Sequence, residues 1–527
     1  MDTSTFRLAL LAIGVLWIGV RIVYWNGYYT EDAPGYVTDA IWMALGNYHA
    51  RDHVNGLNVG TYLPVAVPIR LLGKSEIALS FWPLLCSLLG VVSMVGSTTI
   101  LFGRRFGVLA AVLYVTYPGD VFFSTVVMPD SIQAGWLTFS IFLIVLSFAG
   151  PLHYRRWILV GGGLALGICH LVRANDVILV PIGACAVGIL STIWKREAGI
   201  VALRACLYYL FGWALVNALE GVAYLWAADD FFLRVSVVNR HYGTIGSIAQ
   251  WGLNTDSRTI PFSIFPPISW WTGGTWGHLN QDQAYHALIF CWAFAALLAG
   301  IAILTSQHRR ISECAIAGFA VGAMWLSWPL LYHQFGSQSV SQFVPMHRLS
   351  RHLVVYAPGA IFATVAGCFL VNEAISMWRV GNGRRIMAVI GLAILLAHMY
   401  FNWRGEQVAY DAYHRIKGTY ARIREHLPQG VHTIVADPGD LCFFDFWLNP
   451  LGSERVRMVP FANYETCADM KAGVVLTKSN AGWEGRGAPV IQETVGRLPC
   501  LLDPPATWRL VYDGYPEQIY AIGGFQR

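Results

Sequence analysis

The stretch FRLALLAIGVLWIGVRIVYWNGYYTED, residues 6–32, decides the fold class. Residues 6–24 form an apolar run of the roughly 20 residues needed to cross a hydrocarbon core. No small-residue cleavage site follows, so the run reads as a retained span and not as a removed signal peptide. Glu31 and Asp32 come directly after it. Two adjacent carboxylates are awkward at a membrane boundary, where a helix end would sooner carry Trp, Tyr or a basic residue.

The composition extends this reading to the whole chain. Of 527 residues, 55% are hydrophobic and 13% charged, about half the 25% charge of a soluble chain. A water-soluble globule, a disordered chain and a fibrous one are all disfavoured. The net charge of +5 suits Lys and Arg flanking membrane spans and implies no nucleic-acid partner. Of the ten cysteines, Cys86, Cys169, Cys185, Cys206, Cys291, Cys314 and Cys368 stand singly in apolar runs, as small hydrophobes do. Cys442, Cys467 and Cys500 remain in the tail; such a trio permits one bridge, whose pairing spacing does not reveal. No CxxC, HExxH or His-rich run marks a structural metal site.

Span-length runs fall at 6–24, 77–101, 108–124, 132–150, 157–171, 175–194, 200–226, 285–305, 312–331, 351–373 and 385–401, about eleven transmembrane helices. Alternate short loops are basic: Arg104-Arg105, His153 to Arg156, Lys195-Arg196, His308-Arg309-Arg310, and Arg379 with Arg384-Arg385. The loops between them hold almost no basic residues, Arg173 and Arg348 excepted. By the positive-inside rule the basic loops and the N-terminus are cytoplasmic. The outer face then receives loops 25–76 and 227–284 and a tail, 402–527. The tail is more charged and carries β-like runs at 432–436, 473–477 and 508–512. The expected architecture is a transmembrane module, 1–401, with a small extramembrane α/β or α+β domain, 402–527.

Few outer-face residues are left unexplained by topology or solubility. Glu31 and Asp32 suit a general base or metal ligands facing the lipid–water interface; a solvated acidic turn or a helix cap by Thr30 or Asp32 is the structural alternative. Asp130, in Met128-Pro129-Asp130-Ser131, suits either a functional acid or the cap of span four. Arg173 breaks the positive-inside pattern, and a charge at membrane depth suggests function; a salt bridge to Asp176 would explain it structurally. Arg348 and Arg351 stand at the start of span ten, where guanidinium groups and a helix N-terminus cradle phosphate, unless they merely snorkel. Carboxylates on two loops and arginines on two others would suit an anionic lipid headgroup and activation of a hydroxyl that attacks a carbon bearing a phosphate leaving group.

Several of these segments, in order and on the expected membrane side, resemble the GT-C glycosyltransferases, in particular protein O-mannosyltransferases and bacterial transferases that add aminoarabinose or other sugars to lipid A and its core. The resemblance runs over roughly 15–375. It rests on Glu31-Asp32 followed by Tyr36 and the stretch Ala40 to Gly46, and on Gly73-Lys74-Ser75-Glu76 before span two. Met128-Pro129-Asp130, Gly163-Leu164-Ala165-Leu166-Gly167 with Arg173, and Arg351-His352 with Pro358 complete it. The family's acidic pair is usually Asp-Glu, and many relatives have Pro-Pro-Leu where this chain has Asn58 to Pro64.

The resemblance implies transfer of a sugar from a polyprenyl-phosphate donor to an acceptor hydroxyl, with inversion, on the periplasmic face of a bacterial inner membrane. It implies Glu31 as base, Asp32 and Asp130 as supporting acids, and Arg173, Arg351 and Arg348 as holders of the donor phosphate. Some relatives use a divalent metal at the acidic positions, here Glu31, Asp32 and Asp130, so Mg or Mn is a candidate cofactor. The acceptor would be a glycolipid such as lipid A, another envelope glycan, or a protein hydroxyl. Membrane lipids are the remaining partners. From another class, a lipid or polysaccharide transporter would grip phosphate with the same arginines, although no internal repeat of the transporter kind is visible. A noncatalytic scaffold would leave the acidic loops unexplained.

Overall fold

The computed structural model describes residues 1–28, 33–47, 54–173, 179–244, 300, 313–335, 354–355, 357–377, 407, 410, 414, 417–471, 473–478, 496–514 and 517–522. Glu31, Asp32, Asp176, Arg348 and Arg351 lie outside these residues, as do most of loop 227–284 and, Gly300 aside, the predicted spans 285–305 and 385–401. The chain forms two compact units: Met1–Gly27, His49–Val65 and Leu79–Tyr410 make the first, and Tyr28–Tyr48, Ala66–Ala78 and Asp411–Arg527 the second.

The first unit is helical. Among the described residues five helices are long and apolar enough to cross a membrane: α1 (Thr3–Val23), α4 (Glu76–Phe102), α7 (Pro129–Ala149), α8 (Leu152–Val172) and α10 (Gly199–Ala228). The shorter helices of the chain before α7 are α2 (Ala33–Leu45), α3 (Val59–Leu72), α5 (Arg104–Val115) and α6 (Pro118–Phe123). After α8 come α9 (Leu179–Ile189), α11 (Leu233–Thr244), α12 (Glu313–Phe335) and α13 (Ala357–Met377). Helix α1 starts where Asp2 accepts the Thr5 amide at 2.7 Å. Leu8, Leu11, Val15, Ile18 and Ile22 on it are exposed, as lipid-facing side chains must be in a membrane-spanning chain.

Three predicted spans take a different local form. The run 108–124 divides into α5 and α6, because Pro118 has no amide hydrogen to donate and drives Tyr117 to an extended φ of −72° and ψ of 119°. The basic stretch 153–156 is the first turn of α8 and not a loop. The run 175–194 becomes α9 continued by a π-helical turn, Leu190–Trp194.

Helix α8 packs between α7 and α10. A Cβ on Gly163 of α8 would lie 1.9 Å from the Tyr209 carbonyl oxygen, and one on Gly212 of α10 would lie 2.1 Å from that of Val160. The two backbones therefore touch, as small residues allow in membrane bundles. Gly135 of α7 does the same against the Cys86 carbonyl of α4, at 2.1 Å.

The second unit holds a five-stranded sheet of order β2-β1-β3-β5-β4. Its strands are β1 (Thr433–Ala436), β2 (Arg457–Pro460), β3 (Gly473–Lys478), β4 (Arg509–Gly514) and β5 (Glu517–Ile522). β1 runs parallel to β2 and β3, while β5 is antiparallel to β3 and β4. A helix, α14 (Pro438–Leu448), makes the β1-to-β2 crossover that parallel pairing requires. The three β-like runs of the sequence are β1, β3 and β4. The period of two sends Ile434, Val474, Leu476 and Ile519 to one face with Ile423, Leu441 and Phe444. Val435, Val475 and Ile522 go to the other with Phe461, Met470 and Trp508. That second face is pinned by a Cys467–Cys500 disulfide, which resolves the pairing and does not include Cys442.

Candidate active site

Helix α7 begins with Pro129, whose missing amide hydrogen costs nothing at a first helical position. The cap residue is Met128, which makes no side-chain capping bond. Asp130 is therefore not the cap of span four: it sits two positions beyond it, in the first turn. It is 1% exposed and accepts a 3.2 Å bond at Oδ1 from Nη1 of Arg173, itself 17% exposed. Arg173 ends α8 in an extended conformation, φ −151° and ψ 126°. The antiparallel course of α7 and α8 thus brings together two residues that the sequence kept apart. Oδ2 of Asp130 is buried without a hydrogen-bond partner among the described residues. A buried carboxylate oxygen left in that state costs about 1–3 kcal/mol or more, so it marks a place where a hydroxyl, water or cation would be welcome.

The surroundings fix this pair firmly. The carbonyl of Val172 accepts from Thr61 at 3.2 Å, and the start of α3 presses so closely that a Cβ on Gly60 would meet Val172 at 2.9 Å. Arg234 of α11 pairs with Glu220 of α10 and donates to the carbonyls of His170 at 3.2 Å and Leu57 at 2.6 Å. It thereby ties the last turn of α8 to the 54–57 turn. On the apolar side Cys86, Ile132 and Val172 pack with Trp82 and Trp136.

A second buried ion pair joins Arg21 of α1 to Asp120 of α6 at 2.5 Å, with side chains 2% and 1% exposed. Arg21 also donates to the Val115 carbonyl at 2.9 Å, and Ser87 of α4 donates to Asp120 at 2.6 Å. Sequence reasoning missed Arg21, Asp120, Glu220 and Arg234. The available signal was a charge inside or beside an apolar run, rare unless paired; Arg21 interrupts residues 6–24 in just this way. Among the described residues no group of three or more His, Cys, Asp or Glu side chains could hold a metal ion.

No family model matches this sequence, and no curated protein matches it either. Solved structures do match over nearly its whole length. ArnT from Cupriavidus metallidurans, solved bound to undecaprenyl phosphate, aligns over 99% of this chain and 98% of its own with a TM-score of 0.56 at 14% identity. Its apo form aligns equally well, at 16% identity. The oligosaccharyltransferase of Archaeoglobus fulgidus, tethered to an acceptor peptide, aligns over 99% of this chain and 74% of its own with a TM-score of 0.54 at 12% identity. Both are GT-C fold enzymes. The chain has the GT-C fold. It is a multi-pass membrane protein of that architecture, as the segments around Asp130 and Arg173 suggested. At 12–16% identity the likeness lies in the fold, which family-level sequence comparison does not reach.

Proposed function

We propose that the chain is an integral-membrane glycosyltransferase that moves a sugar from a polyprenyl-phosphate donor to an acceptor hydroxyl, with inversion at the anomeric carbon. The observation that carries this reading is the buried Asp130–Arg173 pair, with its unpartnered carboxylate oxygen, set in a chain that shares its fold from end to end with an enzyme solved on undecaprenyl phosphate. In this reading Glu31 takes the proton from the acceptor hydroxyl, and that oxygen attacks the anomeric carbon as its bond to the donor phosphate breaks. Asp32 and Asp130 position the base or the acceptor. Arg173, with Arg351 and Arg348, holds the phosphate and balances its growing charge as polyprenyl phosphate leaves.

The full architecture would have about eleven spans, a transmembrane module over 1–401 and an outer domain over 402–527. We place the N-terminus in the cytoplasm and the acceptor, a lipid A or other envelope glycan or a protein hydroxyl, at the periplasmic face of a bacterial inner membrane. The Cys467–Cys500 disulfide supports an oxidising compartment for the tail. If a divalent ion such as Mg or Mn takes part, Glu31, Asp32 and Asp130 are the residues that would hold it. Asp130 alone makes no metal site, so no step above is routed through one.

The test is sugar transfer from a synthetic polyprenyl-phosphate sugar by purified protein, wild type against Glu31→Gln, Asp32→Asn and Asp130→Asn. Loss of transfer with retained folding supports the assignment. Full activity in all three variants would overturn it, and lipid movement across the bilayer without transfer would favour a transporter.

A further inference from the structure

The sheet-bearing unit has a cavity of about 150 Å³ between the helical segment 417–425 and α14, lined by Lys417, Tyr420, Arg424, Phe443, Phe444 and Trp447. Its walls are mostly ring carbon. Tyr420 stacks on Phe443, with ring centroids 4.3 Å apart and an interplanar angle of 3°, and its hydroxyl is already bonded to Asp440. Two cations flank the exposed Trp447 at the rim: Lys417 and Arg424 each lie 5.9 Å from its ring centroid. Lys417 is paired with Glu76. No carboxylate among the described residues pairs with Arg424, which is exposed.

The elements that line the cavity bond to chain segments next to spanning helices in sequence. Glu76, the partner of Lys417, is the first residue of the spanning helix α4. Lys74, just before it, donates to Asp445 of α14 at 3.1 Å. Tyr28, a few residues beyond the end of α1, stacks on Phe446 at 4.4 Å and donates to the Cys442 carbonyl at 3.1 Å. Both helices that line the cavity are thus tied to segments that adjoin spanning helices in sequence. Trp with Lys and Arg is the composition of a bilayer interface.

We propose that this cavity binds an anionic phospholipid of the adjoining leaflet, with acyl methylenes in the aromatic cleft and the phosphate against Arg424. A saccharide would need hydrogen-bonding groups around its ring, and here the tyrosine hydroxyl and the lysine are already engaged. A phospholipid asks for an apolar slot and one cation, and the cavity offers both. The proposal is independent of the transfer chemistry and would stand if that failed.

The experiment is photo-crosslinking in nanodiscs of full-length protein, with a diazirine-bearing phosphatidylglycerol or the equivalent phosphatidylcholine, mapped by peptide mass spectrometry. Phosphatidylglycerol is expected to label residues 417–447 several-fold more than phosphatidylcholine. Arg424→Gln should cut that labelling about fivefold, the equivalent of about 1 kcal/mol per basic residue at an anionic surface. Arg424→Lys should keep most of it, and Ala421→Phe, which fills the mouth, should abolish it. An unchanged melting temperature in each variant separates lost binding from lost folding; a variant that melts early is replaced by competition with unlabelled phosphatidylglycerol, which must suppress the wild-type signal. Equal labelling by the two lipids, no labelling, or persistence in Arg424→Gln would overturn the proposal. So would displacement of the lipid by a soluble anionic oligosaccharide, which would make the cavity a glycan site.

Discussion

The Asp130–Arg173 pair makes a prediction whose asymmetry follows from exposure. Removing the arginine as Arg173→Ala leaves a carboxylate that is 1% exposed with neither oxygen partnered by the described residues. Breaking a buried pair in that way costs about 3–5 kcal/mol, because the remaining charge is uncompensated. Removing the charge from the other side as Asp130→Asn is milder. Asn keeps an acceptor, and Arg173 at 17% exposure can recover water. The loss is then about 1–1.5 kcal/mol, the gap between a charge-assisted and a neutral hydrogen bond. The double variant should cost less than the sum of the two, with a coupling of about 1.5–3 kcal/mol. That exceeds the roughly 0.6 kcal/mol average of interhelical hydrogen bonds in membranes, since both partners here are charged. The assay is guanidinium unfolding in dodecylmaltoside micelles, followed by tryptophan fluorescence for wild type, both single variants and the double. If Arg173→Ala costs no more than Asp130→Asn, or the two add to within about 0.5 kcal/mol, the pair is not the buried, mutually compensating unit described here.

Other consequences are simpler to test. Gly163→Val should drive α8 from α10 and abolish a monodisperse peak in size-exclusion chromatography, because its Cβ would sit 1.9 Å from the Tyr209 oxygen; Gly188→Ala, with nothing within 4 Å, should be neutral or slightly stabilising. Reducing the Cys467–Cys500 bridge, which spans 33 residues, should destabilise the sheet-bearing unit by roughly 3–4 kcal/mol on loop entropy, measurable as earlier proteolysis of the tail. Glu197, in the loop before α10, has its carboxyl held below the usual range by hydrogen bonds from Arg155, with Ser191 adding to the effect. A lowered folded-state value means its stabilisation is complete above the unfolded carboxylate range and fades as pH falls through the folded one. Melting temperature should therefore drop on acidification below about pH 4.3, the unperturbed Glu value, with a shallower slope in Glu197→Gln.

The five predicted spans 6–24, 77–101, 132–150, 157–171 and 200–226 were legible because a run of about 20 apolar residues has few alternatives. What hydropathy could not show is where a run breaks. Pro118 was visible, yet the apolar residues on both sides outweighed it, and only the backbone reveals α5 and α6 as separate helices. In the tail, β2 is short and ends in Pro460 at a sheet edge, where proline is tolerated. β5 begins with Glu517-Gln518, which conceals a strand that lies between two others. The candidate residues Asp130 and Arg173 were both singled out, but their pairing was not, because partners 43 residues apart meet only through the α7–α8 turn-around. Asp120 escaped notice although it lies inside the apolar run 108–124, and Arg234 because it looks like an ordinary charge of the 227–284 loop until its partner is known.

The three interhelical ion pairs described in the first unit show why accessibility, and not charge alone, separates a candidate site from a structural clamp. Arg21 is 2% exposed, and its two terminal nitrogens are held by Asp120, Ser87 and the Val115 carbonyl. Arg234 is 7% exposed and is satisfied by Glu220 and the carbonyls of His170 and Leu57. Both guanidinium groups join several chain segments at once, so their main work is to fix the geometry of the helix ends, which a hydrocarbon environment rewards because no water competes for their hydrogens. Arg173 has the same kind of partner but retains 17% exposure. Its guanidinium is the most exposed of the three. The clamp at Arg234 in turn bonds to the carbonyl of His170, within one helical turn of Arg173. Loosening it should move the Arg173 guanidinium without substituting Asp130 or Arg173.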